Sequence, residues 1–336
     1  MSAPLLSIRD LQVHYATAGG LVRAVDGVDL DVPTGSIVGL VGESGCGKST
    51  LARALMGVLA GTGRIAGGSI VFEGQELTNL SKRERRALRW RRMSFVPQTA
   101  MNALDPVQRL GAQMREVLCE RGGLSRTAAR TRSAALMRLV GLDPRRLADY
   151  PHQFSGGMRQ RASIALALAL DPALIIADEP VTALDVIVQR QVLDELRALQ
   201  QRLNVAMILV THDMAVVAYT CDRAAVMYAG KVVESGPTAA VLEAPYHPYT
   251  MGLTHAFPDM HASTVSLVPI EGAPPSLLDP PSGCRFAERC PFAEARCRNE
   301  QPPLVPVATD HLTACWRSDQ AAALRLAAAQ PTTWAA

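Results

Sequence analysis

The chain has 336 residues, enough for one large or two unequal domains around a sizeable buried core. Hydrophobic residues at 48% and charged residues at 19% give the balance of a soluble globular protein. A net charge of +3 is too small to argue for nucleic acid, and aromatics at 4% are too sparse for a base-stacking platform.

No apolar run approaches the roughly 18 residues that a membrane-crossing helix needs. Stretches such as Ile164 to Leu170 and Val205 to Val210 read as short core segments. The N-terminal MSAPLLSIRDLQVHY lacks a basic flank followed by a long apolar stretch, so no secretory signal is expected. The chain is expected to fold in the cytosol and to reach any membrane through a partner.

Residues 5–41 alternate apolar and polar positions, which predicts short strands and turns. SIVGLVG at 36–42 predicts a buried strand running into a glycine-rich loop, and STLARALMGVL after it has helical spacing. GGSIVFEGQEL at 67–77 reads as a hairpin. From about 81 to 170 the pattern is mostly helical. It opens on SKRERRALRWRR, whose basic residues read as a solvated helix face. ALIIAD at 173–178 and VAMILVT at 205–211 predict buried parallel strands, and their alternation with helices predicts a parallel α/β core. After residue 237 prolines crowd the chain, among them Pro258 and Pro269. This predicts a separate C-terminal extension over 237–320 and a flexible Ala-rich tail over 321–336. No internal repeat is seen, so the chain carries one nucleotide site's worth of sequence.

The loop Gly42, Glu43, Ser44, Gly45, Cys46, Gly47, Lys48, Ser49, Thr50 matches G-x-x-x-x-G-K-[ST]. Its glycines let successive N–H groups line a concavity for phosphate oxygens. Lys48 reaches the terminal phosphates, Ser49 supplies a hydroxyl to Mg²⁺, and the following helix aims its positive end at the anion. Alone, the motif says only nucleotide hydrolysis. Asp178 ends a buried strand where α/β sheets bind ligands, and suits a Mg²⁺ contact. Glu179, one residue further out, is placed to polarise an attacking water. His212 ends the next strand, within reach of a γ-phosphate.

The segment Phe154, Ser155, Gly156, Gly157, Met158, Arg159, Gln160 resembles LSGGQ, the signature of ATP-binding-cassette (ABC) ATPases. Phe stands for Leu and Met for Gln, and the Ser-Gly-Gly core is kept. Ser155 to Gly157 also open a helix, a second anion-binding start in one chain. The resemblance covers about residues 5–240. It implies a P-loop ABC core of parallel sheet, antiparallel β subdomain and helical subdomain (about 100–170) within residues 1–236. It implies that Tyr15 stacks on adenine and that Gln98 of FVPQ touches Mg²⁺ and the membrane partner. Asp185 of TALD is implied to communicate across a dimer, and His212 to be the switch histidine. It further implies that a second ATPase subunit completes a head-to-tail ATP sandwich. A soluble cassette protein remodelling nucleic acid or ribosomes is the rival class, and neither paired cassettes nor a coiled-coil insert favours it, so no nucleic-acid partner is expected.

FSGGMRQR, HPYT at 247–250 and a cysteine cluster resemble the oligopeptide and dipeptide importer branch. The cluster is Cys284, Cys290, Cys297 and Cys315, with Arg289 and Pro291 bracketing the second. In a reducing cytosol clustered cysteines read as metal ligation before disulfide. The resemblance implies a [4Fe–4S] cluster, with Zn²⁺ as the alternative ligand and unligated thiols as the bland one. The loose spacing favours iron–sulfur over zinc. The branch implies two transmembrane permease subunits, an extracytoplasmic solute-binding protein and a position on the cytoplasmic face of the inner membrane. Peptide is the implied cargo, with nickel or sugar as alternatives.

Overall fold

A computed structural model describes residues 3–98, 104–182, 184–255 and 270–334. Pro258, Pro269, Ala183 and the first residues of the expected helical insert lie outside the described residues.

Among the described residues the strands form two sheets. The smaller is antiparallel, in the order β2 (Gly20–Val32), β1 (Leu6–Thr17), β4 (Gly63–Phe72), β5 (Gln75–Glu76). One face of β1 is buried at Leu6, Ile8, Leu11 and Val13, which meets the alternation read in the sequence. The larger sheet centres on β3 (Ile37–Val41), with β8 (Ala206–Thr211), β7 (Leu174–Asp178) and β6 (Met93–Val96) to one side. On the other side follow β9 (Arg223–Tyr228), β10 (Lys231–Pro237), β12 (His311–Thr313) and β11 (Val305–Ala308). β6, β7, β8, β3 and β9 run parallel, and every residue of β3, β7 and β8 is buried. Helices on one face and the antiparallel sheet on the other cover these strands, which explains their unbroken apolar runs.

The helices alternate with the strands as expected. α1 (Lys48–Met56) follows β3 and ends on Gly57 in the left-handed region, a common helix stop. α2 (Lys82–Leu88) is opened by a reciprocal Ser81–Glu84 cap and buries no residue, so the basic run is a solvated face. The mostly helical reading of 81–170 needs one correction. Met93–Val96 is a strand, because it pairs in parallel with Leu174 to Ala177 at the sheet edge. The helical insert then holds α3 (Leu110–Glu116), α4 (Arg126–Leu139) and α5 (Gly156–Ala167). α6 (Val186–Leu203) buries Val192, Leu193, Leu196 and Leu199 at helical spacing, and α7 (Met214–Thr220) follows β8. Among the described residues no helix is long and apolar enough to cross a membrane.

The C-terminal extension is joined to the core more closely than the sequence reading held. α8 (Thr238–Glu243) and α9 (Pro248–His255) precede the cysteine region, α10 (Ala295–Asn299) lies within it, and β12 pairs with β10. Glu234 on β10 is fully buried. It accepts backbone N–H bonds from Tyr246 (2.7 Å) and His247 (2.9 Å) and pairs with His311 Nε2 at 2.8 Å. A buried carboxylate requires such partners, so Glu234 pins both ends of the extension to the sheet.

The expectation of a flexible tail over 321–336 is also corrected for its described part. α11 (Ala321–Ala328) buries Leu324 and Ala328. Trp334 is 5% exposed, and its indole N–H donates to Ala328 O at 2.8 Å. Composition hid this, because an Ala-rich segment looks the same docked or frayed. Trp334→Ala is expected to destabilise the docked tail by about 3–5 kcal/mol. Hydrogen exchange along α11 and the thermal midpoint would check it, and unchanged exchange would show the tail to be undocked.

Candidate nucleotide site

The phosphate loop joins β3 to α1 at the carboxyl edge of the parallel strands. Gly42 has φ +155°, and a Cβ there would stand 2.1 Å from Met227 O. Gly47 has φ +109°, and its Cβ would meet Ala24 O at 2.2 Å. Both positions therefore require glycine. Lys48 is 5% exposed. Its Nζ donates to Gly42 O at 2.7 Å and to Glu43 O at 2.9 Å, folding the ammonium over the loop. Cys46 Sγ lies 3.6 Å from that ammonium, and burial pushes the thiol pKa up despite the nearby charge. Ser44, Gly45 (φ +80°) and Thr50 complete the loop and the first turn of α1.

The Ser49 hydroxyl donates to Asp178 Oδ1 at 3.0 Å, which joins the loop to the end of β7. Asp178 is 1% exposed, and burial raises its pKa against the pull of Ser49. A carboxylate short of compensating charge beside a phosphate cradle fits a divalent cation, the hard oxygen donors suiting Mg²⁺.

Glu179 is where the structure brings the expected residues together. Gln98 Nε2 donates to Glu179 Oε2 at 2.9 Å, and His212 Nδ1 lies 3.2 Å from Oε1. The hydroxyl of Thr182 donates to Oε2 at 3.0 Å. Burial pushes the Glu179 pKa up, but the bonds from His212, Thr182 and Gln98 outweigh it and leave it below the ordinary value. These partners therefore favour the charged form of the carboxylate. Its backbone sits at φ +49°, a strained conformation for a non-glycine residue, held by its N–H to Val210 O at 2.8 Å.

Ser155 caps α5, accepting from Met158 N–H at 3.3 Å, and Asp185 caps α6, accepting from Val188 N–H at 3.0 Å. The two helix starts meet, since a Cβ on Gly157 would strike Val188 Cγ1 at 2.5 Å. No hydrogen bond among the described residues joins Ser155, Gly156 or Gly157 to the phosphate loop. Tyr15 lies on β1 opposite Gly63, with its ring against that glycine and no hydrogen bond to the cradle among the described residues.

Cys284, Cys290, Cys297 and Cys315 line one pocket with Phe286, Phe292 and Trp316 around them. All four are free thiols. Burial raises Cys284, and pushes Cys290 and Cys315 up to about 12. Among the described residues no three His, Cys, Asp or Glu side chains stand where they could hold a single metal ion.

Sequence reasoning missed Thr182, although it stands only three residues after Glu179. It missed as well the contacts of Arg289 and Tyr249 with Glu43. Arg289 was visible as a neighbour of Cys290, but nothing local announced its partner.

Two family profiles match the chain. "ABC transporter" covers residues 25–182, and "Oligopeptide/dipeptide transporter, C-terminal region" covers residues 233–297. The probable peptide ABC transporter ATP-binding protein y4tR of Sinorhizobium fredii is 44% identical, over 94% of this chain and 96% of its own. The dipeptide transport ATP-binding protein DppD of Bacillus subtilis is 43% identical, over 95% and 96%. The oligopeptide transport ATP-binding protein OppD of Salmonella typhimurium is 45% identical, over 93% of each. Among solved structures, the ATP-binding cassette MJ0796, in a dimeric post-hydrolysis state with ADP and Pi, superposes with a TM-score of 0.62 at 25% identity. That match covers 69% of this chain and 98% of the other.

Proposed function

We propose, from the premise that this chain belongs to the oligopeptide and dipeptide branch of ABC transporter ATP-binding proteins, that its ATP hydrolysis drives import of di- or oligopeptides. The observation that carries the hydrolytic part is the setting of Glu179, an ionised carboxylate held by Gln98, Thr182 and His212 one residue beyond Asp178. Peptide as cargo follows the names of relatives that match more than nine-tenths of the chain.

Bound ATP lies along the phosphate loop, with Lys48 turned from the carbonyls of Gly42 and Glu43 to the terminal phosphates. Ser49, Asp178 and Gln98 would hold Mg²⁺, which would supply neutralisation of phosphate charge. Glu179 orients water for in-line attack, and His212 holds the carboxylate and reads the γ-phosphate. Tyr15 offers its ring to adenine. A second ATPase subunit, a copy or a paralogue, presents its own Ser155-to-Gly157 helix start to this nucleotide, and Asp185 beside it relays closure across the dimer.

Of the two permease subunits, one docks on this chain near Gln98, where a groove of about 280 Å³ is lined by Trp90, Phe95, Pro97, Leu104 and Leu166. On this reading the chain works at the cytoplasmic face of the membrane, and a solute-binding protein delivers cargo from outside. Copurification of permeases with the tagged chain, and ATPase activity raised by peptide-loaded binding protein in reconstituted vesicles, are the expected results. A chain that copurifies with no membrane protein and binds nucleic acid in a salt-dependent way would sink the reading.

The four free thiols around one pocket support reading it as the seat of a [4Fe–4S] cluster, with Zn²⁺ as the alternative. A single zinc draws four sulfurs to about 2.3 Å from one point. A cluster instead spreads its thiolates over separate irons, as four thiols around one apolar pocket permit. Binding must displace thiol protons held by burial, so loading is expected to fail as pH falls. Anaerobic purification should yield about four irons and four sulfides per chain. Stoichiometric zinc without iron would overturn the assignment.

A further inference from the structure

The phosphate loop is gripped from outside the cassette at one residue, Glu43. Its carboxylate receives both arms of Arg289, Nη1 to Oε2 at 2.8 Å and Nη2 to Oε1 at 3.0 Å. Its backbone N–H donates to Tyr249 Oη at 3.0 Å. Its carbonyl takes the Lys48 ammonium at 2.9 Å. Arg289 and Tyr249 both belong to the C-terminal extension, more than 200 residues away in the chain.

The grip is built rather than incidental. The Arg289 side chain is 7% exposed. Its remaining donors go to Tyr228 Oη (3.1 Å), Ile270 O (2.9 Å) and Glu271 O (2.8 Å), so the guanidinium plane is fixed. Tyr249 is fully buried and packs on Tyr228, with centroids 4.6 Å apart. Phe286 stacks edge-on against Tyr228 at 5.2 Å and tilts on Tyr249 at 5.3 Å. Phe286 also lines the cysteine pocket, and Arg289 directly precedes Cys290. A planar, bidentate, desolvated pair of this kind constrains orientation as well as position. The amides of a phosphate loop bind an anion well only if they converge before it arrives.

We infer that Arg289 is a positioning residue of the nucleotide site: acting through Glu43, with Tyr249 beside it, it presets the phosphate loop, so that the C-terminal extension sets ATP affinity. The inference rests on ATP binding at this loop, as proposed above. Closing the grip costs the extension nothing further when nucleotide arrives, and losing it leaves the loop to pay ordering entropy on binding. Lysine at 289 keeps the charge but not the fork, so it restores only part of the effect.

The test is a titration of the full-length chain with a fluorescent ATP analogue and Mg²⁺, alongside steady-state kinetics. Arg289→Gln and Glu43→Gln are each expected to weaken binding about tenfold. The double variant should also lose about tenfold, because both substitutions break one pair. KM should rise with kcat at saturation largely kept, and Arg289→Lys should fall between. Arg296→Gln, which breaks the exposed pair with Glu300 in the extension and touches neither Arg289 nor Tyr249, is the control and should leave ATP affinity unchanged. Arg289→Gln binding within twofold of the parent, a multiplicative double variant, or equal weakening by Arg296→Gln would each overturn the inference. Failure of the unsubstituted chain to bind the analogue would instead remove the functional reading beneath it.

Discussion

Lys48→Ala is expected to weaken ATP binding by about two to three orders of magnitude, the range for deleting one partner of a buried charge pair. The lysine is 5% exposed, and its ammonium lies over the loop with two carbonyl partners. Truncation removes the positive charge that the terminal phosphates need and leaves the carbonyls of Gly42 and Glu43 facing the anion. Repulsion then adds to the lost attraction. The fold should persist, because α1 keeps its start at Gly47 and its buried face of Leu51, Ala52 and Leu55. Isothermal titration with Mg-ATP would measure the loss, and circular dichroism would confirm the folded state. Parental affinity in Lys48→Ala would mean that the phosphates bind elsewhere.

Glu179→Gln should leave ATP binding near its parental value and reduce turnover by about 10²- to 10⁴-fold. The substitution keeps the size of the side chain and an acceptor for Thr182 and Gln98, so local geometry survives. What it removes is the ionised oxygen that accepts a proton from water. The neighbours of Glu179 hold its pKa below the ordinary carboxylate value, so the parent enzyme carries this charge throughout the neutral range. With a depressed pKa, the charge is lost only as pH falls below the usual carboxylate range, and activity should therefore hold through mildly acidic pH. Single-turnover hydrolysis would read the chemical step directly. In the variant, bound ATP should accumulate in a dimer visible by size-exclusion chromatography. A normal hydrolytic rate in Glu179→Gln would place the base at another residue.

The two predictions differ in how far the sequence alone supports them. Lys48 and Ser49 are legible because a phosphate loop is a local object. Its glycines, lysine and hydroxyl fall within nine consecutive residues between a strand and a helix, and backbone geometry alone dictates them. Asp178 is nearly as legible, because an acid at the end of an apolar strand has few other reasons to be there. Glu179 is not. Its partners Gln98 and His212 lie 81 and 33 residues away and meet it only because β6, β7 and β8 are neighbours in the sheet. Resemblance named those residues, and the strand order explains why they converge. The strain at Glu179 left no trace in composition at all.

The extension shows the other limit. Its prolines and weak periodicity read as a separate appendage with a loose end. β12 pairs with β10, Glu234 bonds to both its ends, and Trp334 is buried. Each of these is a long-range contact, and irregular backbone gives no periodic pattern from which to read one.

The sequence by itself determined the nucleotide chemistry: a loop that binds phosphate, a strand-end acid beside it and a second helix start shaped for an anion. Adjacent residues set these features through φ/ψ and hydrogen bonding within a few ångströms of chain. Only the tertiary structure decided that Arg289 and Tyr249 grip Glu43, and that Gln98, Thr182 and His212 meet at Glu179. Those meetings depend on the order of strands in a closed-packed sheet, and a residue's own neighbours in the chain carry no record of it.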